Sequence, residues 1–294
     1  MRRLRFAAVA VLLFSFGGCS PKTDDGDKPD GPLPKPKVAV RPETKADDKR
    51  ESKSVVVDGA DVPFHKAVLL DPVSDEEVRP PDTTVAGRNV AKLFEAIAGN
   101  EKEKGLWDKI DFRTGDGKKI RYRAKVKTDF GVIEIDLLAD AAPNHVRNFI
   151  ALARAGYYDG LPFHRSLNQT SDGKPWHYLE GGCPKGTGEV GYGSIGYWLK
   201  PELKPGLRHE VGTVGAWHSE ELETAACKFY VTLSPTPWMD ADPELDLGYT
   251  IFGKIVGGLE VARTINSQPA RDGAPGEPLR PVVIREVTIE SRVE

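Results

Sequence analysis

The chain has 294 residues, 39% of them hydrophobic, with a formal net charge of -3. That is enough apolar material for a packed core, and no basic excess marks a nucleic-acid binder. Three cysteines, Cys19, Cys183 and Cys227, are too few for a disulfide scaffold or a four-cysteine zinc site.

Arg2, Arg3 and Arg5 precede an apolar run, Phe6–Phe16, that is of signal-peptide length and too short to span a bilayer comfortably. Gly17-Gly18-Cys19 follows, and small residues just before a cysteine resemble the lipobox of bacterial lipoproteins. The resemblance implies cleavage after residue 18, lipidation of Cys19 and a protein held on an outer membrane by its acyl chains. Residues 20–54 are rich in Asp, Lys and Pro and read as a flexible tether. Residues 55–118 form a lead-in with a short β-like run at Val55–Val57. A helix is expected over Asp82–Ala98, with Val85, Val90, Leu93, Phe94 and Ile97 on one stripe.

Regular strand signal begins at Ile120. Tyr122, Ala124 and Val126 alternate with charged residues, Asp129-Phe130-Gly131 supplies a turn, and Ile133, Ile135 and Leu137 continue the buried face. Pro143 suits a first helical position, Val146, Phe149, Ile150 and Ala153 follow at helical spacing, and Gly156 is the stop. Asp159-Gly160 then turns the chain into a strand opening at Phe163. Strict alternation puts Arg165 on the side of Phe163, an unfavourable place for a guanidinium unless it opens into a cleft. Further strands are expected at His177–Glu180, Gly212–Trp217, Phe229–Leu233, Thr250–Val256 and Val282–Ile289, with a helix at Leu259–Ile265. Many short strands and two helices describe a mainly β protein, a closed antiparallel barrel with helical caps over residues 119–294.

The motifs, taken in order, resemble the cyclophilin-type peptidyl-prolyl isomerases. Thr128–Ile135 resembles the family's first hairpin, Ala142–Phe149 its first helix, and Tyr158–Arg165 the strand bearing the catalytic arginine. Glu180-Gly181-Gly182, Gly186-Thr187-Gly188, Phe229–Leu233, Pro237–Asp240 and Thr250–Ile255 complete the series. The resemblance implies an eight-stranded barrel closed by two helices, a groove on its outer face, and proline-containing polypeptides as partners. It gives Arg165 the catalytic place, Trp238 the pocket rim, Met239 the neighbouring aliphatic position, and Phe229 and Tyr230 the aromatic pair, with Tyr230 flooring the pocket.

The chain departs from the pattern around that arginine. Glu180 and Lys228 stand where two glutamines are usual, which suggests an ion pair in their place. Tyr178 replaces a Met and His177 a pocket Phe, with Asn168–Trp176 inserted before it. Trp217-His218-Ser219 stands for Ala-Asn-Ala, and Tyr249 for the pocket histidine. These residues are carried as substrate-binding candidates. An active isomerase and a proline-binding module with little turnover are both compatible with them.

Other signals are set aside. Gly191–Gly196 fits G-x-G-x-x-G but neither follows a buried strand nor opens a helix. No metal-ligand spacing links His177, His218, Cys183 and Cys227, so neither metal nor cofactor is expected. Export would leave Cys183 and Cys227 as an even pair suited to a disulfide. His145, His164 and His209 read as structural, and Ser219 lacks triad partners. A monomer is expected.

Overall fold

The computed structural model describes residues 67–69, 80–100, 102–171, 173–188, 193–219, 224–242 and 247–294. All lie in one compact unit, Val55–Glu294. The signal-like segment with Cys19, the tether and Val55–Val57 lie outside the described residues.

The hairpin of β2 (Ile120–Thr128) and β3 (Gly131–Leu137) forms as the alternation predicts. Tyr122, Ala124, Val126, Ile133, Ile135 and Leu137 are buried, while the intervening charged residues face outward. Helix α2 (Pro143–Arg154) starts on its proline and ends before Gly156, whose φ of 68° is easy only for glycine. Its N-cap residue, Ala142, offers no side chain, so the cap comes from a distance. The Asn144 and His145 amides each donate to the Glu202 carboxylate at 3.0 Å.

Eight strands form one antiparallel sheet. In spatial order they are β12 (Ile284–Val293), β2, β3, β9 (Ile251–Gly257), β7 (Thr213–Ala216), β8 (Phe229–Thr232), β5 (Lys174–Gly181) and β4 (Phe163–Ser171). The residues entering the two outermost strands meet. Pro162 bridges Val283, and backbone bonds run from Gly160 N to Ile284 O at 2.7 Å, Ile284 N to Leu161 O at 2.8 Å and Phe163 N to Val282 O at 2.9 Å. Helix α3 (Leu259–Asn266) packs on β3, β4 and β5. The inserted stretch Asn168–Trp176 lengthens the β4–β5 hairpin, which pairs out to Ser171 and Lys174. Short strands β10 (Ala270–Arg271) and β11 (Ala274–Pro278) form a hairpin against β4.

The lead-in helix is shorter than its apolar stripe suggested. Helix α1 covers Val90–Ala98 only, capped by Asn89, whose side chain accepts from Lys92 N at 2.9 Å. Ahead of it, Thr83 bridges Asn89 around a turn with Gly87 at φ 79°, a conformation that ends any helix there. Val85 is therefore not on the helix and is 58% exposed. The rest of the lead-in joins the main core: Ile97, Trp107 and Ile110 are buried in one cluster with Val146, Phe149 and Leu152 of α2. Strand β1 (Ala67–Leu69) pairs with β6 (Tyr197–Leu199).

Trp107 is 1% exposed although it lies outside the sheet-forming residues. Trp107→Ala is expected to cost about 3–5 kcal/mol, as for other buried aromatic truncations. Denaturant unfolding measures this, and a loss below about 1 kcal/mol would show the lead-in to be an appendage rather than part of the core.

Candidate active site

The site begins with an irregularity in β4. Phe163 pairs with Gly181, but Arg165 pairs with Glu180, so two residues of β4 span one of β5. This β-bulge corrects the strict alternation expected from the sequence. Phe163 faces the core, 6.1 Å from the Phe229 ring, while Arg165 is turned to the other face beside Glu180 with its side chain 49% exposed. The bulge thus removes the burial conflict that the pattern implied.

One row of residues crosses four strands on that outer face: Arg165 pairs with Glu180, Glu180 with Tyr230, and Tyr230 with Gly215. Gly215 is needed because a Cβ there would lie 2.1 Å from the Tyr230 hydroxyl. Without that side chain the phenol lies flat across β7 and reaches His209.

Glu180 is the hub, with its side chain 1% exposed. His164 Nε2 lies 3.0 Å from Oε1, Lys228 Nζ 3.3 Å from Oε1, and Arg165 Nε 3.6 Å from Oε2. The ion pair suggested by the two departures from glutamine is therefore present. Burial works to raise the Glu180 carboxyl, but the His164 hydrogen bond and the charges of Lys228 and Arg165 outweigh it and hold the group below its ordinary value. Burial likewise pushes Lys228 and His164 down, against the pull of Glu180. Lys228 Nζ also donates to Gly188 O at 3.2 Å and sits 3.0 Å from the centroid of the Trp217 ring, a cation–π contact.

Arg165 is held on three sides. Glu180 faces its Nε, the Tyr178 hydroxyl lies beside it, and its stem lies by Gly276 of β11. Burial works to lower its pKa, but Tyr178 and Glu180 raise it above the ordinary value. Arginine carries five N–H donors, and the side chain is half open to solvent.

A second hydrogen-bonded chain supports the row. His209 Nδ1 lies 2.9 Å from the Asp240 carboxylate, so the neutral ring donates there, and Nε2 accepts from the Tyr230 hydroxyl at 2.7 Å. Burial lowers the His209 pKa despite Asp240, which favours that neutral form. Tyr230 is 1% exposed, stacked on His209 and met edge-on by Tyr249 at 5.7 Å. Tyr249 in turn stacks on His218 at 4.0 Å. The two nitrogens of His218 face Ser219 O at 2.6 Å and Gly248 O at 3.0 Å, beside the end of β7.

Other candidates fall elsewhere. Phe229 belongs to the core, packed edge-on against Phe149, Tyr158 and Phe163, because alternation along β8 sends Lys228 and Tyr230 outward and Phe229 inward. His177, between Trp176 and Tyr178, points to the opposite face of β5 from Arg165. Cys183 and Cys227 are buried and form no disulfide, and burial pushes Cys227 up to about 12. Trp238 is 53% exposed beside a half-buried Met239. Trp238 meets Trp176 edge-on at 6.1 Å, and Trp176 lies 5.9 Å from Tyr178. The sequence reading missed His164, Trp176, His209, Asp240 and Gly215. Only Gly215, a glycine inside a strand, carried a local signal of close approach.

Residues 123–289, more than half of the chain, match the family model described as cyclophilin type peptidyl-prolyl cis-trans isomerase/CLD. The chain belongs to the cyclophilin family. It is 32% identical over 160 residues to the Schizosaccharomyces pombe peptidyl-prolyl cis-trans isomerase ppi1, covering 54% of this chain and 94% of that protein. A Rhizopus delemar peptidyl-prolyl cis-trans isomerase-like 1 is 35% identical over 136 residues, covering 46% of this chain and 74% of that protein. A Cryptococcus neoformans peptidyl-prolyl cis-trans isomerase-like 2 is 31% identical over 201 residues, and there the match covers 64% of this chain but spans only 31% of the relative's length. A solved cyclophilin type peptidyl-prolyl cis-trans isomerase from Cryptosporidium parvum aligns with a TM-score of 0.49 at 25% identity, covering 58% of this chain and 99% of that one.

Glu180 and Lys228 should behave as a unit. Glu180→Gln or Lys228→Gln alone is expected to cost about 3–5 kcal/mol, because each leaves a buried charge without its partner. The double change to two glutamines is expected to recover more than half of that loss. Denaturant unfolding of the four proteins gives the coupling, and additive single losses would deny the pairing.

Proposed function

We propose that this chain is a peptidyl-prolyl cis-trans isomerase acting on X-Pro bonds of exported polypeptides. The observation that carries the reading is Arg165, turned outward by the bulge, tied to Glu180 and Tyr178, and half open to solvent. An X-Pro bond rotates over a barrier of about 18–20 kcal/mol because resonance stiffens C–N, and uncatalysed exchange takes about tens to hundreds of seconds. Lowering that barrier needs no covalent step. It needs a donor that binds the twisted amide better than either planar form. Twisting localises a lone pair on the prolyl nitrogen, and a guanidinium that never loses its proton can donate to it. A preorganised charge-assisted donor of this kind supplies a few kcal/mol, about two to three decades in rate.

Tyr178, Met239 and Tyr249 offer the apolar surface for the proline ring, with Trp238 at the rim. Tyr230 lies beneath them as a support. The bridge between Pro162 and Val283 fits an eight-stranded barrel closed between β4 and β12. We read the chain as a monomer, exported and anchored by lipid on Cys19. That reading rests on Arg2, Arg3, Arg5, the apolar run Phe6–Phe16 and Gly17-Gly18-Cys19.

One observation favours the second reading, a proline-peptide-binding module with little turnover: Tyr230, expected to floor the pocket, is sealed beneath its neighbours at 1% exposure. Turnover of a prolyl tetrapeptide, set against its equilibrium binding, separates the two. Arg165→Ala is expected to lower kcat/KM by about two to three decades while costing at most about 1 kcal/mol in unfolding, since the side chain is half exposed and His164 and Lys228 still face Glu180. Unchanged turnover in that variant would refute the catalytic assignment.

A further inference from the structure

We propose that Trp176 and Trp238 form a second recognition subsite, taking a large apolar or aromatic side chain two residues from the proline. The inference rests on the peptide-binding reading above and adds a specificity to it. The two indoles stand at 87° with centroids 6.1 Å apart, so their faces make a right-angled apolar corner, and Trp238 is 53% exposed. An incoming ring in such a corner can lie over one indole and meet the other edge-on, the two arrangements that aromatic quadrupoles favour.

The corner is continuous with the arginine. Trp176, Tyr178 and Glu180 alternate along one face of β5, Tyr178 lies beside Arg165, and Trp176 packs 5.9 Å from Tyr178. At about 3.3 Å per residue, Trp176 lies about 7 Å beyond Tyr178 and about 13 Å beyond Glu180. An extended peptide whose proline ring rests on Tyr178 and which runs in that direction brings its second flanking side chain to the corner. Trp176 reaches this place only because the extra residues of the β4–β5 hairpin prolong the ladder to Ser171 and Lys174.

The test uses the full chain and matched capped peptides with Phe or Ala at the second position before or after a central proline. Exchange rates are read by NMR without a coupling protease. The expected result is a preference for Phe at one of the two positions by about threefold to tenfold in kcat/KM. That preference is kept by Trp176→Phe and falls to about one in Trp176→Ser. A wild-type ratio near one at both positions, or a ratio that survives Trp176→Ser, overturns the subsite. Turnover without preference sinks the subsite and leaves the isomerase reading standing. Binding with the Phe preference, read by calorimetry on the same peptides, but without turnover does the reverse. Failure to bind or turn over any of the peptides overturns both.

Discussion

A carboxylate withdrawn from water needs compensation, and the site of this protein is arranged around one. Glu180 is buried on the outer side of the sheet beneath the surface, and an isolated charge there would be costly enough to be neutralised or expelled. Three nitrogens from three directions hold it: His164 from within the bulge, Lys228 from just before β8 and Arg165 from the surface. Because His164 and Lys228 are themselves buried, they cannot move away to solvent. Arg165 is the only member of the group with open water on one side, and its Nε is turned to Glu180. The positive charge of the cluster exceeds the negative by about one unit if His164 is neutral, as burial favours. That excess lies on the guanidinium, the one member of the group that is half exposed.

The backbone makes this arrangement affordable in two places. The bulge at Phe163–Arg165 lets one strand serve the aromatic core with Phe163 and the outer site with Arg165. Gly215 lets Tyr230 lie across the neighbouring strand and close a chain to His209 and Asp240, so the row next to Glu180 is rigid on both sides. Around the row, a lysine lies against Trp217 and a histidine against Tyr249, where smaller neutral residues are usual in the pattern this chain resembles. The shape of the cyclophilin scaffold is kept while the chemistry beneath its arginine is ionic rather than amide-based.

Much of the fold was legible because it rests on periodicities that local sequence carries. The β2–β3 hairpin, helix α2 between Pro143 and Gly156, and helix α3 follow from alternation, helical spacing and glycine stops. Helix α1 was read too long because Val85 was counted on its stripe, although at about 100° per residue it lies about 120° round from Ile97, and the Thr84–Arg88 turn that excludes it depends on a glycine at positive φ. The arginine and the Glu180–Lys228 pair were legible from motif order. Their surroundings were not. A bulge shifts register without a local composition signal, so Arg165 was assigned to the wrong face. His209 and Asp240 are 31 residues apart, and only the folded chain brings them to Tyr230. Phe229 was misassigned for a simpler reason: an adjacent aromatic pair on a strand must divide between two faces, and Tyr230 took the outer one.

The account depends on Glu180 remaining ionised where it is buried. Its carboxyl carbon, followed by NMR through an acid titration of the full chain, reports that directly. A group whose folded pKa lies below its unfolded value adds stability that is present above the unfolded pKa and is lost as pH falls through the folded one. The carboxyl should therefore titrate below the ordinary glutamate range, and folding stability should decline over that same interval. A carboxyl that takes up its proton above the ordinary range, near neutral pH, would mean that burial wins over the three nitrogens, and the guanidinium would then have no charged partner to hold it.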